Sequence, residues 1–260
     1  MVVTKSKYFA RNLAVSFKPS YKVYEFLVVW KHEFGSMAKI LDLFSRHKVK
    51  VLLTHSQLDE DSGSVVGTYY CDLTQTDLPV ENLKNEIQGL RFVLNADYVS
   101  TEQAMFDKFL FPVTIWGRNR VLIMRLDPLL NIEKRLGQEL GSAGGAIMFR
   151  EGEGYAAETL NQYRKVLGNI GRDALMENAV NGLRATGWGI FDFQTTKEGY
   201  EVTVQEGPMI DGATEPSRFL CGIIAGVLES IYATKVKIVD STVDPAGGRV
   251  SVKLSRIANG

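Results

Sequence analysis

The side chains best suited to chemistry are few and unevenly placed. All three histidines, His32, His47 and His55, fall in the first quarter of the 260-residue chain, so neither a histidine relay nor a histidine-bearing metal site is expected beyond it. Cys71 and Cys221 lie far apart in apolar runs and read as two buried thiols rather than a bridge. Arg218, three residues before Cys221, could activate that thiol, but burial argues the other way. The glycine-rich stretches Gly141–Gly145 and Gly152–Gly154 lack the Gly-Lys-Ser/Thr of a phosphate loop, and Glu151, Glu153 and Glu158 would repel phosphate. They read as helix ends and breaks. Asp59-Glu60-Asp61-Ser62-Gly63 is too short for a calcium loop and reads as a turn. No catalytic residue, metal or cofactor is therefore expected.

What remains is apolar chemistry. Trp188, Phe191 and Phe193 cluster at one strand, Met148, Phe149 and Tyr155 on middle helices, and Phe219, Ile223 and Tyr232 on a late helix. Such side chains, with a tyrosine hydroxyl for orientation, are what an apolar ligand site needs. The late helix, Phe219–Tyr232, is apolar almost all round yet too short to cross a bilayer, so it must be buried in protein. Gly222, Ala225 and Gly226 recur on one of its faces, where a missing side chain lets another backbone, a ligand or a partner come close. Each glycine inside a helix costs about 1 kcal/mol against alanine, so two of them call for a packing reason.

The elements that must position these residues follow from periodicity. Tyr24–Trp30 reads as a strand, Ser36 onward as a helix with Met37, Ile40, Leu41 and Phe44 on one face, and Val49–Gln57 and Ser64–Leu73 as a hairpin. Pro79 opens a second helix striped by Val80, Leu83, Ile87 and Leu90, and Arg91–Ser100 is a strand. Residues 101–117 break the pattern and are expected to connect two domains through a short helix and an extended piece. A strand at Arg120–Arg125 and a helix capped by Asp127 open the second domain. Further helices over Ala146–Leu167 and Arg172–Thr186 precede strands Ile190–Thr195 and Tyr200–Gln205. After the apolar helix, a hairpin of Lys235–Ser241 with Gly248–Leu254 completes an α/β (α+β) chain.

Thirty basic and thirty acidic residues cancel, so nucleic acid is not an expected partner. Lys5, Lys7, Arg11, Lys18 and Lys22 precede the first carboxylate, Glu25, and read as a solvated basic segment over residues 1–19. No run is long enough for a membrane span, and the cysteine usage suits a reducing, cytoplasmic setting.

The strand-helix-strand-strand-helix-strand order of residues 20–100, with Gly35 entering the first helix, resembles the ACT domain, a ferredoxin-like regulatory module. His32-Glu33-Phe34-Gly35 keeps the family's glycine but not its proline. The resemblance implies an ACT-like domain over residues 1–100 that holds an amino acid beside Gly35 and Ser36. Residues 118–260 resemble the 4-vinyl reductase domain family through Gly187-Trp188-Gly189, Phe219–Glu229 with its glycine-alanine-glycine face, and Val236–Asp240. That resemblance implies a dimeric domain of mixed α/β fold with an apolar cavity for a small apolar or aromatic ligand. Many relatives bind zinc through cysteines of the closing hairpin; Ser241–Val252 has none, so zinc is not expected. The reading that follows is a non-enzymatic, homodimeric small-molecule sensor. An enzyme or accessory factor of tetrapyrrole or aromatic metabolism is one alternative, and a scaffold with filled cavities is another.

Overall fold

A computed structural model describes residues 14–16, 18, 20–100, 104–115, 119–208, 215–244 and 248–257. The chain divides into two compact units, Met1–Ile123 and Met124–Gly260. Lys5, Lys7 and Arg11 of the basic segment lie outside the described residues, while Lys18 and Lys22 are exposed.

The first unit runs β1 (Ala14–Ser16), β2 (Val23–Lys31), α1 (Ser36–Arg46), β3 (Lys50–Asp59), β4 (Ser64–Asp72), α2 (Val80–Gln88), β5 (Val93–Ser100), β6 (Ala104–Phe106), β7 (Thr114–Ile115) and β8 (Asn119–Arg120). Its main sheet has the order β3-β4-β2-β5 with every neighbour antiparallel, the ferredoxin-like split βαβ arrangement. One sheet face carries Phe26, Val28 and Trp30 from β2 and Tyr69 and Cys71 from β4. These pack with Ile40, Leu43 and Phe44 of α1 and Leu83 and Ile87 of α2. Of the stripes legible in the sequence, Ile40, Phe44, Leu83 and Ile87 are buried, whereas Leu41 is 39% exposed and Leu43 takes the core position beside Phe44 instead.

Gly35 turns the chain into the first helix. It precedes α1 with φ +76°, and a Cβ there would meet nothing within 4 Å. The glycine thus serves the left-handed turn into the helix.

The connecting region also differs. Its described residues form no helix: β6 pairs with β1, and β7 with β8. The expected strand Arg120–Arg125 shrinks to Asn119–Arg120. Leu122, Ile123 and Met124 are 89%, 54% and 51% exposed, so this apolar run has no face to bury and no strand to pair with.

The second unit runs α3 (Leu126–Leu140), α4 (Ser142–Leu167), α5 (Arg172–Ala185), β9 (Ile190–Thr195), β10 (Gly199–Gln205), α6 (Arg218–Tyr232), β11 (Val236–Asp244) and β12 (Arg249–Arg256). Its antiparallel sheet has the order β11-β12-β10-β9. Val202, Val204, Val250, Val252 and Leu254 of the sheet share one core with Leu220, Cys221, Ile223, Ile224, Val227 and Leu228 of α6.

The sequence reading breaks the middle helix at its glycines; the structure does not. Helix α4 runs unbroken for 26 residues through Gly144, Gly145, Gly152 and Gly154. A Cβ on Gly152 would collide with the carbonyl oxygen of Phe219, and one on Gly222 with that of Phe149. Gly226 faces the Glu153 oxygen, 2.7 Å from where a Cβ would sit. The glycines therefore let the backbones of α4 and α6 touch. Ala225, on the same helix, is wholly buried.

Candidate functional site

The α4–α6 contact sets the position of three aromatic rings. Tyr155 lies one turn beyond Gly152 on α4, and Phe219 one turn before Gly222 on α6, so both rings flank the glycine contact. Trp188 reaches them from the turn between α5 and β9. Its amide donates to the Leu183 carbonyl at 2.9 Å, and its neighbours Gly187 and Gly189 adopt φ +88° and +121°, a double kink that side chains would resist.

Trp188 stacks on Phe219 with centroids 5.4 Å apart, while Tyr155 lies 5.8 Å from Trp188 and 6.1 Å from Phe219. The Trp188 indole N–H donates to the Tyr155 hydroxyl at 3.3 Å. Trp188 and Phe219 are half-buried, and Tyr155 is 38% exposed. Three ring surfaces and one polar handle thus stand open enough to be covered by something else.

The other residues singled out from the sequence spread through the unit. Met148 and Ile223 are buried, and Phe149 is partly buried against the core. Phe191 and Phe193 stack on each other at 6.0 Å. Tyr232 sits at the opposite end of α6 from Phe219 and stacks on Tyr200 at 5.2 Å. Gly35 and Ser36 belong to the first unit, where Ser36 is buried and the neighbouring Phe34 is fully exposed.

Nothing here activates a nucleophile. Cys221 is wholly buried, and burial pushes its thiol up to about 12. Arg218 pulls that value down, but the charges of Glu133 and Glu215 push it back up. Burial likewise raises the Cys71 thiol. Both cysteines are free, and among the described residues no group of three or more His, Cys, Asp or Glu side chains could hold a metal ion. No helix among them is long and apolar enough to cross a membrane.

Two polar arrangements escape the sequence reading. Glu133 of α3, buried to 5% exposure, accepts a 2.6 Å bond from the Ser217 hydroxyl and another from the Arg218 amide. Ser217 in turn accepts from the Leu220 amide at 3.2 Å, so a distant carboxylate completes the cap of α6. In the first unit, Glu25 of β2 has no exposed surface although it is ionisable. A carboxylate inside an otherwise apolar strand was the one sequence signal available for it.

No family model and no curated protein matches the chain. Among solved structures, the phenol-responsive sensory domain of the transcription activator PoxR is 15% identical. That match covers 54% of this chain and 78% of that one, with a TM-score of 0.43. The ACT domain of a GTP pyrophosphokinase from Chlorobium tepidum is 9% identical over 30% of this chain and 99% of that one, with a TM-score of 0.26. A structure described for H-NOX activation is 11% identical over 54% of this chain and 77% of that one, with a TM-score of 0.36. The fold class rests on the strand orders and registers given above.

Proposed function

We propose that this chain is a non-enzymatic regulatory protein whose second unit senses a small apolar or aromatic molecule. The observation that carries the reading is the half-open cluster of Tyr155, Trp188 and Phe219, in which a ligand ring can stack while the Tyr155 hydroxyl fixes its polar end. In this reading the buried side chains Met148 and Ile223 also belong to the site. In this reading the second unit is a 4-vinyl-reductase-like sensing domain, and the first an ACT-type module able to hold an amino acid beside Gly35 and Ser36. The protein then works as a homodimer in the cytoplasm, passing the bound state on through its dimer arrangement.

A calorimetric screen of monocyclic and bicyclic aromatic compounds tests the central part. A binder is expected whose affinity falls at least tenfold in Trp188→Ala, with the thermal stability of the first unit unchanged. Failure of every compound to bind, or binding indifferent to Trp188, would refute the reading. Sedimentation tests the dimer: a monomer persisting at high micromolar concentration contradicts it.

A further inference from the structure

The sheet of the first unit buries its apolar face under α1 and α2, and its other face carries polar groups that no apolar packing explains. Glu25 on β2 pairs in register with Tyr70 on β4, and Thr68 on β4 pairs with His55 on β3, so all four side chains lie on that second face. The segment Asp107–Leu110 closes over them. Its Lys108 amide donates to both Glu25 carboxyl oxygens, at 3.1 and 3.4 Å. The Asp107 carboxyl accepts from the Thr68 hydroxyl at 3.2 Å and from the amides of Phe109 and Leu110 at 3.0 and 2.7 Å. It also lies 3.7 Å from His55 Nδ1. Glu25, wholly buried, and Asp107 thus crowd around one segment, and two carboxyl groups buried side by side favour holding one proton between them.

We propose that Glu25 and Asp107 form a proton-held latch: the shared proton keeps the Asp107–Leu110 segment seated on the sheet, and its loss frees the segment. The direction of the response follows from the surroundings. Burial, then the Asp107 charge, raises the Glu25 carboxyl from 4.5 to about 7, against the opposing pull of the Lys108 amide and ammonium. Released into water, Glu25 returns to its ordinary range. The closed state therefore holds a proton that the open state lacks between about pH 4.5 and 7. Over that window closure weakens as pH rises, by up to about tenfold per unit, and it levels off above.

Other charged groups share this face, Lys31 of β2 and Lys50 and Asp59 of β3 among them by register. His55 faces the Asp107 carboxyl through Nδ1 at 3.7 Å. Tyr70 is buried, and the charges of Glu25 and Asp107 reinforce its neutral form. Register places Asp72 on β4 and Asp97 on β5 on the same face. Lys108 favours ionisation, but its ammonium is turned to the Ser100 carbonyl at 3.3 Å.

The test uses the full chain from pH 5 to 8. Carboxyl-carbon NMR follows Glu25, and hydrogen exchange, normalised to an unstructured peptide, follows the amides of Lys108, Phe109 and Leu110. Glu25 is expected to titrate near 7, with protection of the three amides falling up to about tenfold per unit to pH 7 and then levelling. Glu25→Gln, which can accept from Lys108 and donate to Asp107, should hold protection constant, whereas His55→Gln should keep the fall. A Glu25 midpoint below 5, flat protection in the wild type, or a fall that survives in Glu25→Gln would overturn the latch. If Glu25→Gln does not fold, the two wild-type curves decide the matter.

Discussion

Both units fold a four-stranded antiparallel sheet, yet they place rings and carboxylates differently. In the first unit Phe26, Phe44 and Tyr69 form a wholly buried chain of ring contacts, 5.9 and 5.5 Å apart. In the second, Tyr155, Trp188 and Phe219 make contacts of the same length at a half-open edge. Residue type and spacing are alike; exposure separates rings that only pack from rings that can receive a ligand. The buried acids differ in a parallel way. Glu133 is met by two donors and serves as a fixed cap, whereas Glu25 shares its site with a second carboxylate and becomes sensitive to protons. Burial alone does not set the role of a carboxylate; its partners do.

Three substitutions probe this contrast, beginning with the largest effect. Gly222→Leu drives a side chain into the Phe149 carbonyl of α4 and should destabilise the second unit by at least about 3 kcal/mol. Calorimetry should show that unit's transition collapse while the first unit's remains. A variant that melts like the wild type would remove the backbone contact on which the ring cluster depends. Glu133→Ala orphans the Ser217 hydroxyl and the Arg218 amide, at a cost of about 1–3 kcal/mol. Asp42→Ala breaks an exposed pair with Arg46 on α1 and should change stability by less than about 0.5 kcal/mol. Chemical denaturation of both carboxylate variants sharpens the comparison: equal costs would mean that partners and burial matter less than argued.

Much of the scaffold was legible because it is written in local periodicity. The apolar run of β2, the alternation in β4, the stripe of α2 and the all-apolar α6 each report a buried face within a few residues, and the α1 stripe does so at Ile40 and Phe44 but not at Leu41. Leu122–Met124 shows the limit, since an apolar run without a neighbouring strand forms none. The glycines of α4 were misread as breaks because their reason, the α6 backbone, lies some seventy residues away along the chain. The candidate site was legible as a set of residue types but not as a place. Tyr155, Trp188 and Phe219 meet, while Tyr232 is set at the far end of α6, about 20 Å along the axis by helical rise. Glu133 carries no local signature, because Ser217 and Arg218 lie in a distant element, and Asp107, bonded locally by the Phe109 and Leu110 amides, gives no local sign of its long-range partner Thr68.

The most direct test of the sensing account is indole N–H NMR of the full chain titrated with aromatic compounds. The protein has three tryptophans, Trp30, Trp116 and Trp188, so two serve as internal references. The account predicts that a binder shifts the Trp188 indole resonance, which leaves its bond to Tyr155, while the buried Trp30 stays put. Saturable binding that moves Trp30 and leaves Trp188 untouched would contradict it.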